Sequence, residues 1–154
     1  MADEILNQLV RLQERSRRAS IDQLKEAARL KRMHYFLGIP AIIISTIVGS
    51  TAFISASEGQ ITSRYIILLI AGVSMVAAIL SSLMTFLGYN ERAEKHRITG
   101  GLYSNIRRRL EAEIAISKSS QNVDTNKLSD NLRELSDQYS KITENAPIID
   151  FEKD

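Results

Sequence analysis

Two long stretches of the chain hold no charged side chain. Tyr35–Ser57, YFLGIPAIIISTIVGSTAFISAS, runs for 23 residues and Tyr65–Asn90, YIILLIAGVSMVAAILSSLMTFLGYN, for 26. A helix of a soluble bundle normally keeps a polar face. Here AIIISTIV and YIILLIAGVSMVAAIL are apolar all round except for small serines and threonine. About 20 apolar residues at 1.5 Å rise cover a ~30 Å hydrocarbon layer. The pattern therefore predicts two membrane spans, near 36–56 and 65–88, within a 35–90 segment. The short connection Ser57–Arg64 makes them an antiparallel hairpin.

The flanking segments follow a different rhythm. Residues 3–34 contain no Pro or Gly, and Ile5, Leu9, Leu12, Ser16 and Ala19 recur in steps of four and three. The rhythm falters near Gln23 and resumes weakly through Leu24 and Ala28. This predicts an N-terminal helix within residues 1–34. Past the second span, the helical pattern runs on through 91–118, with Ala93, His96, Gly100, Tyr103, Arg107, Leu110 and Ile114 on one stripe. The pair Gly100–Gly101 weakens a helix by roughly 1 kcal/mol each against alanine. It predicts a kink or a close crossing with the N-terminal helix.

A polar break, SKSSQNVD, leads into the last segment, 119–154. Leu128, Leu132, Leu135, Tyr139 and Ile142 form an a/d seam. Asp124 suits the N-cap, and Pro147 blocks continuation of the helix. A helix of this length is marginal alone, so the seam requires a partner. The N-terminal helix of the same chain fits, and so does a second subunit; the expectation carried forward is an oligomer seam. The fold class is an all-α membrane protein, a two-span hairpin with long cytoplasmic N- and C-terminal helices.

Charge adds an orientation. The formal net charge is only +2, but Arg29, Lys31 and Arg32 precede the first span, and Arg92, Lys95 and Arg97 follow the second. Basic flanks stay cytoplasmic, which places both termini inside the cell and the protein in the cell membrane. Tyr35, Phe36, Tyr65 and Tyr89 suit the interfaces. Residues 3–34 carry eight basic against five acidic side chains. Without interleaved aromatics or a binding motif, they suit a solvated face near anionic lipid better than nucleic acid.

Within the spans, Ala41, Ser45 and Gly49, and likewise Ser74, Ala78 and Ser82, recur at four-residue spacing. Such stripes let helices approach closely in lipid, inside the hairpin or between chains. Thr46, Ser50, Ser81 and Thr85 are candidate pore-lining hydroxyls after oligomerisation. Pro40 sits near the start of the first span, where a missing backbone donor costs little, and Gly38 suggests a bend. No ionisable side chain lies inside either span, which argues against a proton relay or an ion-coupled transporter.

Catalytic chemistry finds little support. The chain has no cysteine. His34 and His96 belong to no metal-binding or nucleophile motif, and Glu111 and Glu113 face different sides of a helix. We expect no enzyme activity, cofactor or metal. Arg107, Arg108 and Arg109 are the candidate contact for a ligand phosphate or a lipid phosphate.

The segment RMHYFLGIPAIIISTIVG at the first span, followed by RAEKHRITGGLYSNIRRRLEAEIA after the second, resembles the SLATT superfamily, the SMODS- and SLOG-associating two-transmembrane effectors. The resemblance covers about residues 25–117 and rests on Ala93, His96, Gly100, Tyr103, Arg107, Arg108 and Glu111. It implies an oligomeric pore-forming effector of prokaryotic antiviral systems, with a partner protein that makes or senses a nucleotide signal. The alternative is a membrane-anchored scaffold that recruits a cytoplasmic partner through its helices.

Overall fold

The structure, a computed structural model, describes residues 2–58, 64–119 and 124–149. Every regular element among them is an α-helix: α1 (Ala2–Glu58), α2 (Arg64–Leu87), α3 (Tyr89–Ser119) and α4 (Thr125–Asn145). Two compact units result. Unit 1 comprises Met1–Ala28 and Ala93–Asp154, and unit 2 comprises Arg29–Arg92.

Where two helices were expected, residues 1–34 and the first span, α1 is one continuous helix of 57 residues. Pro40 lies in its interior rather than near a start. The proline removes the N–H that would bond to the Phe36 carbonyl, a defect of about 3 kcal/mol in an isolated helix. In unit 2 the helix is retained through it, as membrane spans commonly allow.

At the far end of α2 the opposite correction applies. The second span does not run on into α3: Gly88 interrupts them with φ +55°. Its N–H bonds to the Met84 carbonyl (3.3 Å) and its own carbonyl accepts from Arg92 N–H (3.1 Å). A left-handed residue ends a helix cheaply only when no Cβ crowds the following carbonyl. Gly88→Ala should therefore destabilise unit 2 by about 1–2 kcal/mol, although nothing lies within 4 Å of the added carbon. Thermal unfolding in detergent would show it; an unchanged midpoint contradicts this account.

In unit 2, α1 and α2 pack through Gly38, Ala41 and Ala77. A Cβ on Gly38 would sit 2.8 Å from Met84 Cε, and Ala41 and Ala77 are 3% and 5% exposed. The expected packing stripes enter this intrachain contact only in part. Ala41 is in the contact and Ser74 is half-buried, but Ser45, Gly49, Ala78 and Ser82 are exposed. The contact follows three- and four-residue steps along half-buried Leu37, Ile44, Val48, Ile70, Leu80, Met84 and Leu87, not a strict four-residue repeat. A 3.6-residue helix drifts off any four-residue stripe within a few turns.

Most large side chains of the spans face outward, including Phe36 (77% exposed), Ile42 (68%), Leu69 (68%) and Phe86 (86%). The helices are long and apolar enough to cross a membrane, and few of their side chains are buried inside this chain.

Unit 1 is held by an apolar cluster drawn from three helices. Leu9 and Leu12 of α1, Ile106, Leu110 and Ile114 of α3, and Leu128 and Leu135 of α4 are buried together. Leu132, Tyr139 and Ile142 pack against them. The seam Leu128, Leu132, Leu135, Tyr139 and Ile142, expected at an oligomer interface, is filled within one chain in this structure, where α1 and α3 supply the apolar partner. Asp124 caps α4 as expected, its side chain accepting from the N–H of Asn126 (3.1 Å) and Lys127 (3.3 Å). α4 ends at Asn145, two residues before Pro147.

Candidate functional site: a buried polar layer in unit 1

The core of unit 1 changes character along α1. Toward the N-terminus it is leucine. Nearer the end where the chain leaves unit 1, it is Ser16 (0% exposed), Ser20 (6%) and Gln23 (4%), facing His96 (5%) and Thr99 (8%) of α3. Gln23, where the hydrophobic rhythm falters, keeps core register: the helix carries a polar residue at a core position. A buried polar group without a partner costs several kcal/mol, so this layer stands or falls on its hydrogen bonds.

Ser16 and Thr99 donate within their own helices, to the Leu12 and Lys95 carbonyls (2.9 Å each); the other bonds cross between elements. The Ser20 hydroxyl donates to the Gly100 carbonyl at 2.9 Å. Gln23 Nε2 donates to the Pro147 carbonyl at 3.3 Å, and Gln23 Oε1 lies 2.6 Å from His96 Nδ1. The two contacts fix one another. A carbonyl only accepts, so the amide nitrogen must face Pro147. The amide oxygen then faces His96, and Nδ1 must carry the proton. Gln23 thereby joins α1, α3 and the segment after α4.

Gly100 is the reason the helices come close enough. A Cβ there would lie 2.9 Å from Leu24 Cγ and 3.3 Å from the Ser20 carbonyl. Of the two outcomes expected for the glycine pair, the close crossing is found, while α3 stays helical through both positions. Gly101 faces open space.

Aromatic contacts flank the layer. Tyr103 and Tyr139 rings pack at 5.3 Å, tilted by 52°. The Thr143 hydroxyl donates to the Tyr139 carbonyl (2.9 Å), so Tyr103 OH is the donor in its 3.0 Å bond to Thr143 Oγ1. Burial, and then the neighbouring Tyr103, push the Tyr139 phenol above its ordinary range, while Thr143 and Arg15 pull the other way.

The arginine triplet does not form a phosphate clamp. Consecutive side chains on a helix point about 100° apart, and these three diverge. Arg109 reaches α4, donating to Gln138 (2.9 Å) and Glu134 (3.2 Å). Arg107 Nε lies 3.6 Å from Glu111, beyond hydrogen-bond reach, and Arg108 is exposed. Glu111 also accepts from Gln13 of α1 at 3.3 Å. Arg109 thus ties α3 to α4, and Glu111 ties it to α1.

The candidate pore-lining residues Thr46, Ser50, Ser81 and Thr85 are all exposed. Thr46, Ser50 and Thr85 donate to the carbonyl four residues earlier (2.9, 2.8 and 3.1 Å). Ser81, Ser82, Thr85 and Phe86 line a shallow recess of about 480 Å³ on α2.

No known protein family, characterised protein or solved structure matches the chain. The residues themselves therefore carry the functional argument. The sequence reading missed the Gln23–His96–Pro147 connection. Its signal was there: extending the four-three rhythm of α1 past Ala19 lands on Gln23, and His96 already stood on the α3 stripe.

Proposed function

We propose that this chain is an oligomeric two-span membrane effector that forms or gates a pore. The observation that carries the reading is the division of surfaces in unit 2. Gly38, Ala41 and Ala77 are used within the chain, while Ser45, Thr46, Gly49, Ser50, Ser81, Ser82 and Thr85 face outward among large apolar side chains. Small and hydroxyl-bearing residues at a lipid-facing surface let further helices approach closely. Hydroxyls that donate to their own helix expose oxygen lone pairs without stranding a donor in lipid. Such a surface sits in a bilayer as a closed hairpin and tolerates water when subunits gather around it.

In this reading, the spans form an antiparallel hairpin in the cell membrane, and the basic flanks hold both termini in the cytoplasm. Unit 1 is then a cytoplasmic bundle whose helix α1 is continuous with the first span. The SLATT resemblance supports a role in prokaryotic antiviral defence, with a nucleotide-signalling partner as the trigger. Arg109 is engaged with α4, which leaves exposed Arg108 as the member of the triplet open to a phosphate-bearing trigger.

Purified protein reconstituted into lipid vesicles should release an entrapped dye or ions. Exchanging the two spans for an unrelated hairpin should abolish the release. Vesicles that stay tight although the protein is inserted and oligomeric would sink the pore. Biological function that survives the exchange would assign the chain to the scaffold alternative.

A further inference from the structure

We propose that the segment Ala146–Ile149 is a releasable strap that closes the polar end of unit 1 through Pro147, Gln23 and His96. It does not rest on the pore reading.

Helix α4 stops at Asn145, and Ala146 turns extended (φ −68°, ψ 137°). The chain beyond it lies against α1, where the Pro147 carbonyl accepts from Gln23. Apolar burial holds it only in part, since no strap residue is fully buried. Ile148 is 87% exposed, and Ala146, Pro147 and Ile149 are half-buried. Beyond the Ala146 N–H bond to the Thr143 carbonyl (3.3 Å), Gln23 supplies the polar anchor to α1, and its other end is held by His96 at 2.6 Å. A bond of this kind contributes little net free energy while water can replace it, so it opens and closes readily.

The surroundings of the strap's anchor make its release consequential. Around the Gln23 contact, the buried positions of α1 and α3 are Ser20, Gln23, Ala27, Ala93, His96, Thr99 and Gly100, all small or polar. The other end of unit 1 is closed by seven buried aliphatic side chains. Proteins open in parts where apolar contact is sparse. Detaching the strap admits water to Gln23 and His96 and loosens α1 from α3 over residues 16–27 and 93–103. The leucine end stays shut. The loosened stretch is the one from which α1 continues, without a break in the helix, into Arg29 and beyond, so strap release changes how firmly that helix is held.

The absence of cysteine makes a direct test available. Two single-thiol proteins are made in the whole chain, Ile149→Cys on the strap and Leu135→Cys in the leucine end, where Leu135 is 2% exposed. Each is reacted with a water-soluble maleimide in detergent, with and without Gln23→Leu, which keeps the volume and removes both bonds. Ile149→Cys should label about tenfold faster in the Gln23→Leu background, and Leu135→Cys should stay slow. Equal rates at Ile149→Cys in both backgrounds overturn the proposal. Fast labelling of both thiols also overturns it, because the unit would then open only as a whole. The proteins with Gln23 intact give a second check. Low urea should leave Ile149→Cys labelling unchanged, because that opening is local, while it accelerates Leu135→Cys. Parallel urea dependence at the two sites refutes the strap.

Discussion

Leu110→Ala should lower the stability of unit 1 by about 3 kcal/mol, the largest effect of any single truncation we expect. Leu110 is 0% exposed and belongs to a cluster to which α1, α3 and α4 all contribute. Deleting its isobutyl group removes contacts with residues distant in sequence and leaves a cavity that three helices must collapse to fill. Leu9, also 0% exposed, should behave similarly. The measurement is urea unfolding in mild detergent followed by helical signal. A loss below about 1 kcal/mol would mean that the three helices do not share one core. The α4 seam would then again be available to a second subunit.

The second large effect sets two adjacent glycines against one another. Gly100→Ala should destabilise unit 1 by about 1–3 kcal/mol through overpacking, less the gain in helix propensity. The new carbon would meet Leu24 at its Cγ, a branch point rather than a flexible tip, and the Ser20 carbonyl of the opposing backbone. Separating the helices would also stretch the bond from Ser20 to Gly100 (2.9 Å). Gly101→Ala meets nothing within 4 Å and should stabilise α3 by about 0.5–1 kcal/mol, because alanine loses less backbone freedom in a helix. Opposite shifts in unfolding midpoint are the expected result. Shifts of the same sign would contradict the close crossing.

Much of this architecture was legible in the order of residues. The charge-free blocks marked the two apolar helices because only side chains facing lipid or a dry core escape the need for a polar face. The α4 seam and its Asp124 cap were readable because both depend on neighbours within a few positions. The glycine pair pointed to a close approach, which Gly100 makes against Leu24 and Ser20 while Gly101 meets nothing within 4 Å. The arginine triplet is not a single cluster, for an equally local reason. Adjacency in sequence suggested a cluster, but a helix turns adjacent side chains apart, and Arg109 found its partners on α4.

By itself, the sequence determined which stretches are helical and apolar and where α4 begins. Each follows from side-chain chemistry acting over a few residues. Tertiary structure alone decided which partner fills each face. It gave the α4 leucines to α1 and α3 of the same chain, turned Ser45, Gly49, Ala78 and Ser82 outward, and joined Gln23 to His96 and to Pro147. Those pairings span 73 and 124 positions, and periodicity reports a face without naming what lies across from it. A buried glutamine is tolerable only where both ends of its amide are met, and the chain beyond α4 had to return to α1 before that condition was satisfied.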